Sequence, residues 1–143
     1  MDKCKVYCDS LTLSLDKGVD IKDISSSLEK VAVTSGIKDG MLSACVVGST
    51  ASLTTIEYEP GVISDLARTI NEMVPPDAVY EHEQAWHDGN GHSHVQAALL
   101  GPSISIPVRE GRFALGTWQQ VVVVNHDNRP RKRRVEVTVF GLL

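Results

Sequence analysis

Short apolar runs of strand character, separated by turn signals, dominate this chain and restrict it to folds built on a sheet. Near the end of the chain, Val135, Val137 and Val139 alternate with polar residues, which predicts a strand with one buried face over Arg133–Phe140. Comparable runs predict five more strands, at Val6–Leu15, Met41–Val47, Ser52–Tyr58, Ile104–Val108 and Phe113–Asn125. The short connection Arg109-Glu110-Gly111 favours a hairpin, and hence mainly antiparallel pairing.

Three of these strands carry more specific expectations. Met41–Val47 is nearly continuously apolar, which predicts burial on both faces. In the first strand Val6 and Cys8 fall on the opposite parity to the later leucines, which favours a bulge near Asp9–Ser10. The long strand Phe113–Asn125 is expected to bend at Gly116.

Helical periodicity appears in three segments. Ile24, Leu28, Val31 and Ala32 predict a helix over Ile21–Ser35, which Gly36 follows. The spacing of Ile63, Leu66, Ala67, Ile70 and Met73 predicts a second long helix before Pro75-Pro76. Val95, Ala98 and Leu99 predict a short helix over Ser93–Leu100. The expected fold is therefore α+β, a mainly antiparallel sheet with two long helices and one short helix, in a single domain over residues 1–143.

Composition excludes several classes of protein. The chain has 42% hydrophobic and 22% charged residues, which is globular rather than disordered. The start MDKCKVYCDS lacks the apolar core of a signal peptide, and no apolar run approaches the length of a membrane helix. Three scattered cysteines argue against a disulfide framework, so we expect a cytoplasmic protein.

Four of the five histidines lie between positions 82 and 94. Imidazole and carboxylate are the usual ligands of Zn²⁺ and similar ions, so the stretch predicts a metal or anion site with His87, His92 and His94 as the first candidates. Gly89 and Gly91 would allow the backbone to approach a ligand closely. A polar surface loop is the alternative interpretation.

The spacing of His92 and His94 leaves two geometries open. On a strand both rings would lie on one side and could share an ion, whereas on a helix they would diverge by about 200° and only one would ligate. His82 is a weaker candidate than the other three histidines. His126 stands apart and is expected at a solvent-exposed strand end.

Other polar residues interrupt apolar segments in a way typical of site residues. Ser49 and Thr50 lie on a glycine break, and Glu57 and Glu59 point to one side at a strand end. The motif Thr117-Trp118-Gln119-Gln120 interrupts an apolar strand. Taken singly, each of these groups is also compatible with an ordinary strand end or edge.

Five of the 14 basic residues lie between positions 129 and 134. Outside this basic run the acidic residues outnumber the basic ones, and no aromatic residues are interleaved with its cations. We therefore favour phosphate binding or pairing across subunits over nucleic-acid binding, with a solvated turn as the alternative.

Four ordered segments, with a closing Arg-Pro-Arg turn and strand, resemble the YjbQ family, also called the secondary thiamine-phosphate synthase enzyme family. The segments are Gly48-Ser49-Thr50 with Leu53–Gly61, His87–His94, Leu99–Ser103, and Leu115–Gln119. They span residues 48–140, about two thirds of the chain.

This resemblance implies a compact α+β homotrimer with sites near the subunit boundaries. It also implies thiamine phosphate synthesis, in which a pyrimidine pyrophosphate loses pyrophosphate and is captured by a thiazole phosphate. Such chemistry needs a cation, usually Mg²⁺, to neutralise the departing pyrophosphate, and the cofactor expected here is a divalent ion, Zn²⁺ or Mg²⁺. The residues expected to take part in catalysis are Glu57, His92, Trp118 and Gln119. Those expected to bind substrate or phosphate are Ser49, Thr50, Asn90, Thr117 and Arg109.

One departure from the family alters the expected site. Many bacterial members have a His-Thr-Thr or His-Thr-Ser element where this chain has Gly48-Ser49-Thr50, and His87 is the candidate substitute for the missing histidine. The alternative to an enzyme is a trimer that binds a metal or a small ligand without catalysis.

Overall fold

The structure is a computed structural model that describes residues 2–143. Eight strands and four helices follow one another within residues 2–143. They are β1 (Cys4–Leu15), β2 (Asp20–Asp23), α1 (Ser25–Ser35), β3 (Asp39–Val47), β4 (Ala51–Ile56), α2 (Pro60–Met73), α3 (Glu81–Trp86), α4 (Gly91–Leu100), β5 (Ser103–Arg109), β6 (Arg112–Phe113), β7 (Gln120–Asn125) and β8 (Arg131–Leu142). No helix within residues 2–143 has the length and apolarity needed to cross a membrane.

The strands form two antiparallel sheets, which confirms the predicted α+β class. One sheet has the order β1-β8-β3-β5-β6 and the other the order β2-β7-β4. The main core lies between the two sheets and α1, where Leu28, Leu42 and Val123 are fully buried. A second cluster joins Val122 and Val124 of β7 to α2.

Burial on both faces belongs to β7, not to β3. Val121 to Val124 are all fully buried, because β7 has the core on one side and α2 on the other. In β3 only Leu42, Ala44 and Val46 are buried, and the residues between them are not. The prediction for Met41–Val47 was therefore wrong, although continuous apolarity does mark a doubly covered strand elsewhere in the chain.

Three other features of the strands and helices differ from the sequence predictions. The first helix begins at Ser25, because Asp20–Asp23 pairs with β7. β1 pairs with β8 in unbroken register from Cys4 to Leu15, without the predicted bulge, and Val6 lies on its exposed face. The predicted strand Phe113–Asn125 is interrupted by a loop between β6 and β7.

Helix α4 is confirmed, but with the opposite face buried. Val95 and Leu99 are 42% and 62% exposed, whereas His92, Ser93 and Gln96 face the interior. The apolar spacing that indicated the helix therefore marks its outer face. The inner face is polar, and this places the functional side chains described next.

Candidate functional site

Helices α3 and α4 are joined by a tight loop that Glu83 holds in place. Its carboxylate accepts hydrogen bonds from the backbone N–H groups of Gly89 at 2.7 Å and Gly91 at 2.9 Å. His87 ends α3 in the left-handed region, with φ 53°. Glu83 therefore fixes how α3 faces the start of α4.

Both glycines of this loop lie against other parts of the chain. A Cβ on Gly91 would lie 2.5 Å from the Cβ of Tyr80, and a Cβ on Gly89 would lie 2.7 Å from the Nδ2 of Asn128. Gly89 also has a φ of +74°. They permit close packing of the loop, whereas the sequence had suggested close approach to a ligand.

His82, Asp88 and His94 converge at this loop. Their potential ligand atoms all lie within 4.8 Å of one another. The Nε2 of His82 is 3.1 Å from Asp88 Oδ1, and the ring centroids of His82 and His94 are 4.7 Å apart. We call these three side chains the His82–Asp88–His94 cluster.

The neighbours of the cluster prepare it for a cation. Nδ1 of His94 is 3.2 Å from the carbonyl oxygen of Ser49, which can only accept, so Nδ1 is the donor and Nε2 is the ring nitrogen available to an ion. The backbone N–H of Asn90, and then His82, lower the pKa of Asp88 below its usual range. A neutral imidazole and an ionised carboxylate are the forms that metals bind.

The three predicted metal ligands do not come together. His94 belongs to the cluster, but His92 lies on the inner face of α4, 7% exposed, with its ring centroid 6.4 Å from that of Tyr80. His87 is exposed at the end of α3. His92 and His94 lie on a helix and diverge, which is the helical one of the two geometries that the sequence left open. Burial lowers the pKa of His92.

A pocket of about 360 Å³ opens beside the cluster. It is lined by Gly48, Ser49, Thr50, Asp88, Asn90, His94, Asp127, Arg131, Lys132 and Arg133. Three residues predicted to bind substrate, Ser49, Thr50 and Asn90, therefore lie together, next to the basic run. We call this the cationic pocket.

Asp127 organises the floor of the cationic pocket. It is 1% exposed and accepts hydrogen bonds from Thr50 Oγ1 at 3.0 Å, Asn90 Nδ2 at 3.2 Å and Arg131 Nε at 3.0 Å. Burial raises the pKa of Asp127, but these hydrogen bonds outweigh it and the net pKa is lowered. Thr50 Oγ1 and Asn90 Nδ2, on two residues predicted to bind substrate, therefore already form hydrogen bonds within the protein.

The basic run alternates between outer and inner positions along β8. Arg134 pairs with Glu136 at 3.0 Å on the surface, and Lys132 is exposed. Arg131 pairs with the buried Asp127, and Arg133 is itself buried, 7% exposed. Two of these cations, Arg131 and Arg134, are therefore paired with carboxylates of the same chain.

His126 is buried, contrary to the predicted solvent-exposed strand end. It is 1% exposed, with Nδ1 2.9 Å from Gln96 Oε1 and Nε2 2.8 Å from Ser52 Oγ. Burial, followed by the charges of Arg133 and His92, lowers its pKa to about 4. The ring lies directly after the doubly covered β7, so the apolar run before it was the signal for its burial.

A second group of predicted site residues lies at the opposite end of β4 and β7. Glu57 is seven residues from Thr50, about 20 Å along an extended chain. Thr117 and Gln119 line a separate pocket of about 470 Å³, and Gln119 donates to Thr55 Oγ1 at 3.2 Å. Trp118 is 72% exposed.

Two further charged residues stabilise local structure. Glu59 caps α2 by accepting from the N–H groups of Gly61 and Val62 at 2.8 and 2.9 Å. Arg109 donates from Nη1 to the carbonyl oxygens of Val108 at 2.8 Å and Gly40 at 3.2 Å, beside the β5–β6 hairpin. Arg109 does not line the cationic pocket.

The comparisons with known proteins agree with the fold. The family model described as UPF0047 protein YjbQ-like matches residues 9–142. A UPF0047 protein of Methanothermobacter thermautotrophicus is 37% identical over 96% of this chain and 94% of its own length. The UPF0047 protein YjbQ of Salmonella typhimurium is 33% identical over 79% of this chain and 82% of its own length.

A solved structure is similarly close. The crystal structure of a YbjQ-like protein of unknown function from Sulfolobus solfataricus superposes with a TM-score of 0.92 at 33% identity, covering 97% of this chain and 99% of that one. The similarity in sequence and architecture thus extends over most of the length of these relatives. The chain belongs to the YjbQ (UPF0047) family.

Proposed function

We propose that the chain binds a divalent metal ion through His82, Asp88 and His94 and holds a phosphorylated small molecule in the adjoining cationic pocket. The convergence of the three ligand atoms within 4.8 Å carries the proposal. Two imidazoles and a carboxylate suit Zn²⁺ better than Mg²⁺, which prefers oxygen ligands. Three protein ligands leave a coordination position for water or substrate.

The cationic pocket supports a phosphorylated ligand. Arg131, Lys132 and Arg133 line it against two carboxylates. One of these carboxylates, Asp127, is already engaged by Arg131. The other, Asp88, is part of the metal cluster. The remaining positive charge attracts anions and favours phosphate over a neutral ligand.

The reaction that we propose for this pocket is thiamine phosphate formation. The bond between the pyrimidine methylene carbon and its pyrophosphate oxygen breaks, pyrophosphate leaves with the electron pair, and the thiazole nitrogen forms the new C–N bond. A bound divalent ion would supply charge neutralisation for the departing pyrophosphate. Lys132 and Arg133 would hold the phosphoryl oxygens, and the Ser49 carbonyl would keep His94 oriented.

A second candidate is a protein that binds a metal or small ligand without catalysis. One observation favours it, namely the distance along the sheet between the cationic pocket and the predicted catalytic residues Glu57, Trp118 and Gln119. The two candidates share the metal cluster and differ in whether product forms.

The metal cluster is tested with untagged protein by elemental analysis and by Zn²⁺ titration. We expect about one ion per chain, and loss of binding in H82A and H94A. The matched control is H87N, because His87 lies outside the cluster and asparagine tolerates its positive φ. Metal binding that needs His87 but not His82 would overturn the assigned ligand set.

The reaction is tested by incubating the protein with the pyrimidine pyrophosphate and the thiazole phosphate and measuring thiamine phosphate. We expect product with wild-type protein and with H87N, and none above background with H94A. If metal-loaded wild-type protein forms no product, the reaction is excluded, and the protein that binds a metal or small ligand without catalysis is the remaining candidate.

A further inference from the structure

Arg133 carries a buried positive charge without a carboxylate in direct contact. It is 7% exposed, and its Nη2 donates to Thr50 O at 3.1 Å, Thr50 Oγ1 at 2.6 Å and Asn125 Oδ1 at 2.6 Å, all uncharged acceptors. Its Nε is buried and has no acceptor. Among residues 2–143 Arg133 forms no ion pair, although Arg131 and Arg134 on the same strand each form one.

The other edge of this guanidinium faces the cationic pocket beside Gly48. A Cβ on Gly48 would lie 2.8 Å from Nη1 of Arg133, so the missing side chain leaves Nη1 uncovered. Gly48 and Arg133 both line the pocket. A charged group that is nine-tenths buried is thus held by neutral acceptors on one side and open to a ligand on the other.

We propose that Gly48 and Arg133 form a subsite for a phosphoryl group of the small-molecule ligand. The proposal rests on the proposed function, because the metal cluster opens to the same pocket, and it adds the residue that receives the phosphoryl oxygens. An unpaired buried charge is unfavourable, and an incoming anion relieves that cost. The planar N–H groups of arginine suit phosphoryl oxygens.

Several features favour a phosphoryl group over a carboxylate. Lys132 adds a second positive charge to the pocket beside Arg133, whereas Arg131 is paired with Asp127, and two cations suit a dianion better than a monoanion. A phosphoryl group also has more oxygens than a carboxylate with which to accept from both Arg133 and Lys132. Residue 48 then sets access, because the Cβ of any other residue would lie 2.8 Å from Nη1 and displace it from its present position.

The test uses metal-free full-length protein and inorganic pyrophosphate as the probe, measured by isothermal titration calorimetry. R133Q removes the charge and keeps a polar side chain near Thr50 and Asn125. G48A keeps the charge of Arg133 but places a Cβ 2.8 Å from the position of Nη1, which displaces that nitrogen and blocks the approach of a ligand to it. The matched control is G101A, because Gly101 also has a positive φ, +92°, but has open space where its Cβ would lie. Circular dichroism and thermal melting check that each variant folds.

We expect wild-type protein and G101A to bind pyrophosphate, and R133Q and G48A to bind it at least about tenfold more weakly, since a hydrogen bond to a charged group is lost. Wild-type affinity in folded G48A would overturn the subsite, as would the absence of pyrophosphate binding to wild-type protein.

Zinc titration of the same proteins separates this subsite from the metal cluster. R133Q is expected to bind Zn²⁺ like the wild type, and H94A to lose Zn²⁺ while its metal-free form still binds pyrophosphate. Pyrophosphate binding without any metal binding would overturn the proposed metal cluster and support the subsite. Metal binding without pyrophosphate binding would support the metal cluster and overturn the subsite.

Discussion

The buried imidazole of His126 joins three elements through directional hydrogen bonds. It follows β7, accepts from Ser52 of β4 and donates to Gln96 of α4. Gln96 in turn donates from Nε2 to Asn71 Oδ1 and to the Val74 carbonyl, both at 3.0 Å. Although Ser52 and His126 resemble a nucleophile and its base, Ser52 is fully buried and no substrate reaches it.

The lowered pKa of His126, about 4 against 6.5, predicts acid sensitivity. The unfolded chain binds the proton more tightly, so the stabilisation is complete above pH 6.5 and is lost as pH falls towards 4. Between pH 7 and pH 5 we expect the free energy of unfolding to fall by about 2 kcal/mol from this group. Burial of His92 acts in the same direction.

Urea denaturation in EDTA at pH 7, 6 and 5 measures this loss without a contribution from bound metal. H126Q should show a smaller loss over the same range, whereas the control H87N should follow the wild type, because His87 is exposed. A wild-type free energy of unfolding that stays constant between pH 7 and 5 would contradict the prediction.

At the level of elements, the cluster depends on how the six-residue helix α3, which carries His82, meets the following loop that Glu83 holds. Glu83 is not a member of the cluster, but its two hydrogen bonds to the N–H groups of Gly89 and Gly91 hold the loop that carries Asp88. The cluster is therefore built by the loop as much as by the helices.

We predict that E83A weakens Zn²⁺ affinity about tenfold or more without removing a ligand, as loss of supporting hydrogen bonds does in other metal sites. The matched control is E81A, on the same helix and exposed. Competition titration with a chromophoric chelator gives both affinities. Equal affinities for E83A and E81A would show that the loop does not need Glu83.

Local sequence patterns were enough to predict most elements and the histidine-rich stretch, but not the membership of the cluster. The apolar period of α4 was visible, but its inner face is polar because Ser93 and Gln96 find hydrogen-bond partners from distant segments. Helix α3 is too short to show a period, so nothing in the sequence placed His82 ahead of His87. The choice of His82 depended on the loop conformation that Glu83 holds, which brings Asp88 beside His82.

For the whole molecule we propose a homotrimer, and the outer surface supports an assembly. Val95 and Leu99 on α4 are exposed close in sequence to His94, and Trp118 is exposed at the other end of the sheet. A second copy covering α4 would place the cationic pocket near a subunit boundary. It would also shield apolar side chains from water.

Light scattering after size-exclusion chromatography should give three times the chain mass of 15.5 kDa. L99K is expected to lower that mass by placing a charge on the outer face of α4. The control V79K changes a residue that is 93% exposed and lies outside any helix or strand. A wild-type mass of one chain at all concentrations would contradict the trimer.

The polar inner face of α4 has a consequence for the geometry of the metal cluster. A helix that rests on apolar side chains can turn slightly about its axis at low cost, because dispersion contacts have little directionality. Ser93 and Gln96 instead fix the rotation of α4 through hydrogen bonds of defined angle, at 2.7 Å to the His126 carbonyl and 2.9 Å to its ring. The direction in which His94 points is therefore set from inside the protein, before any ligand arrives.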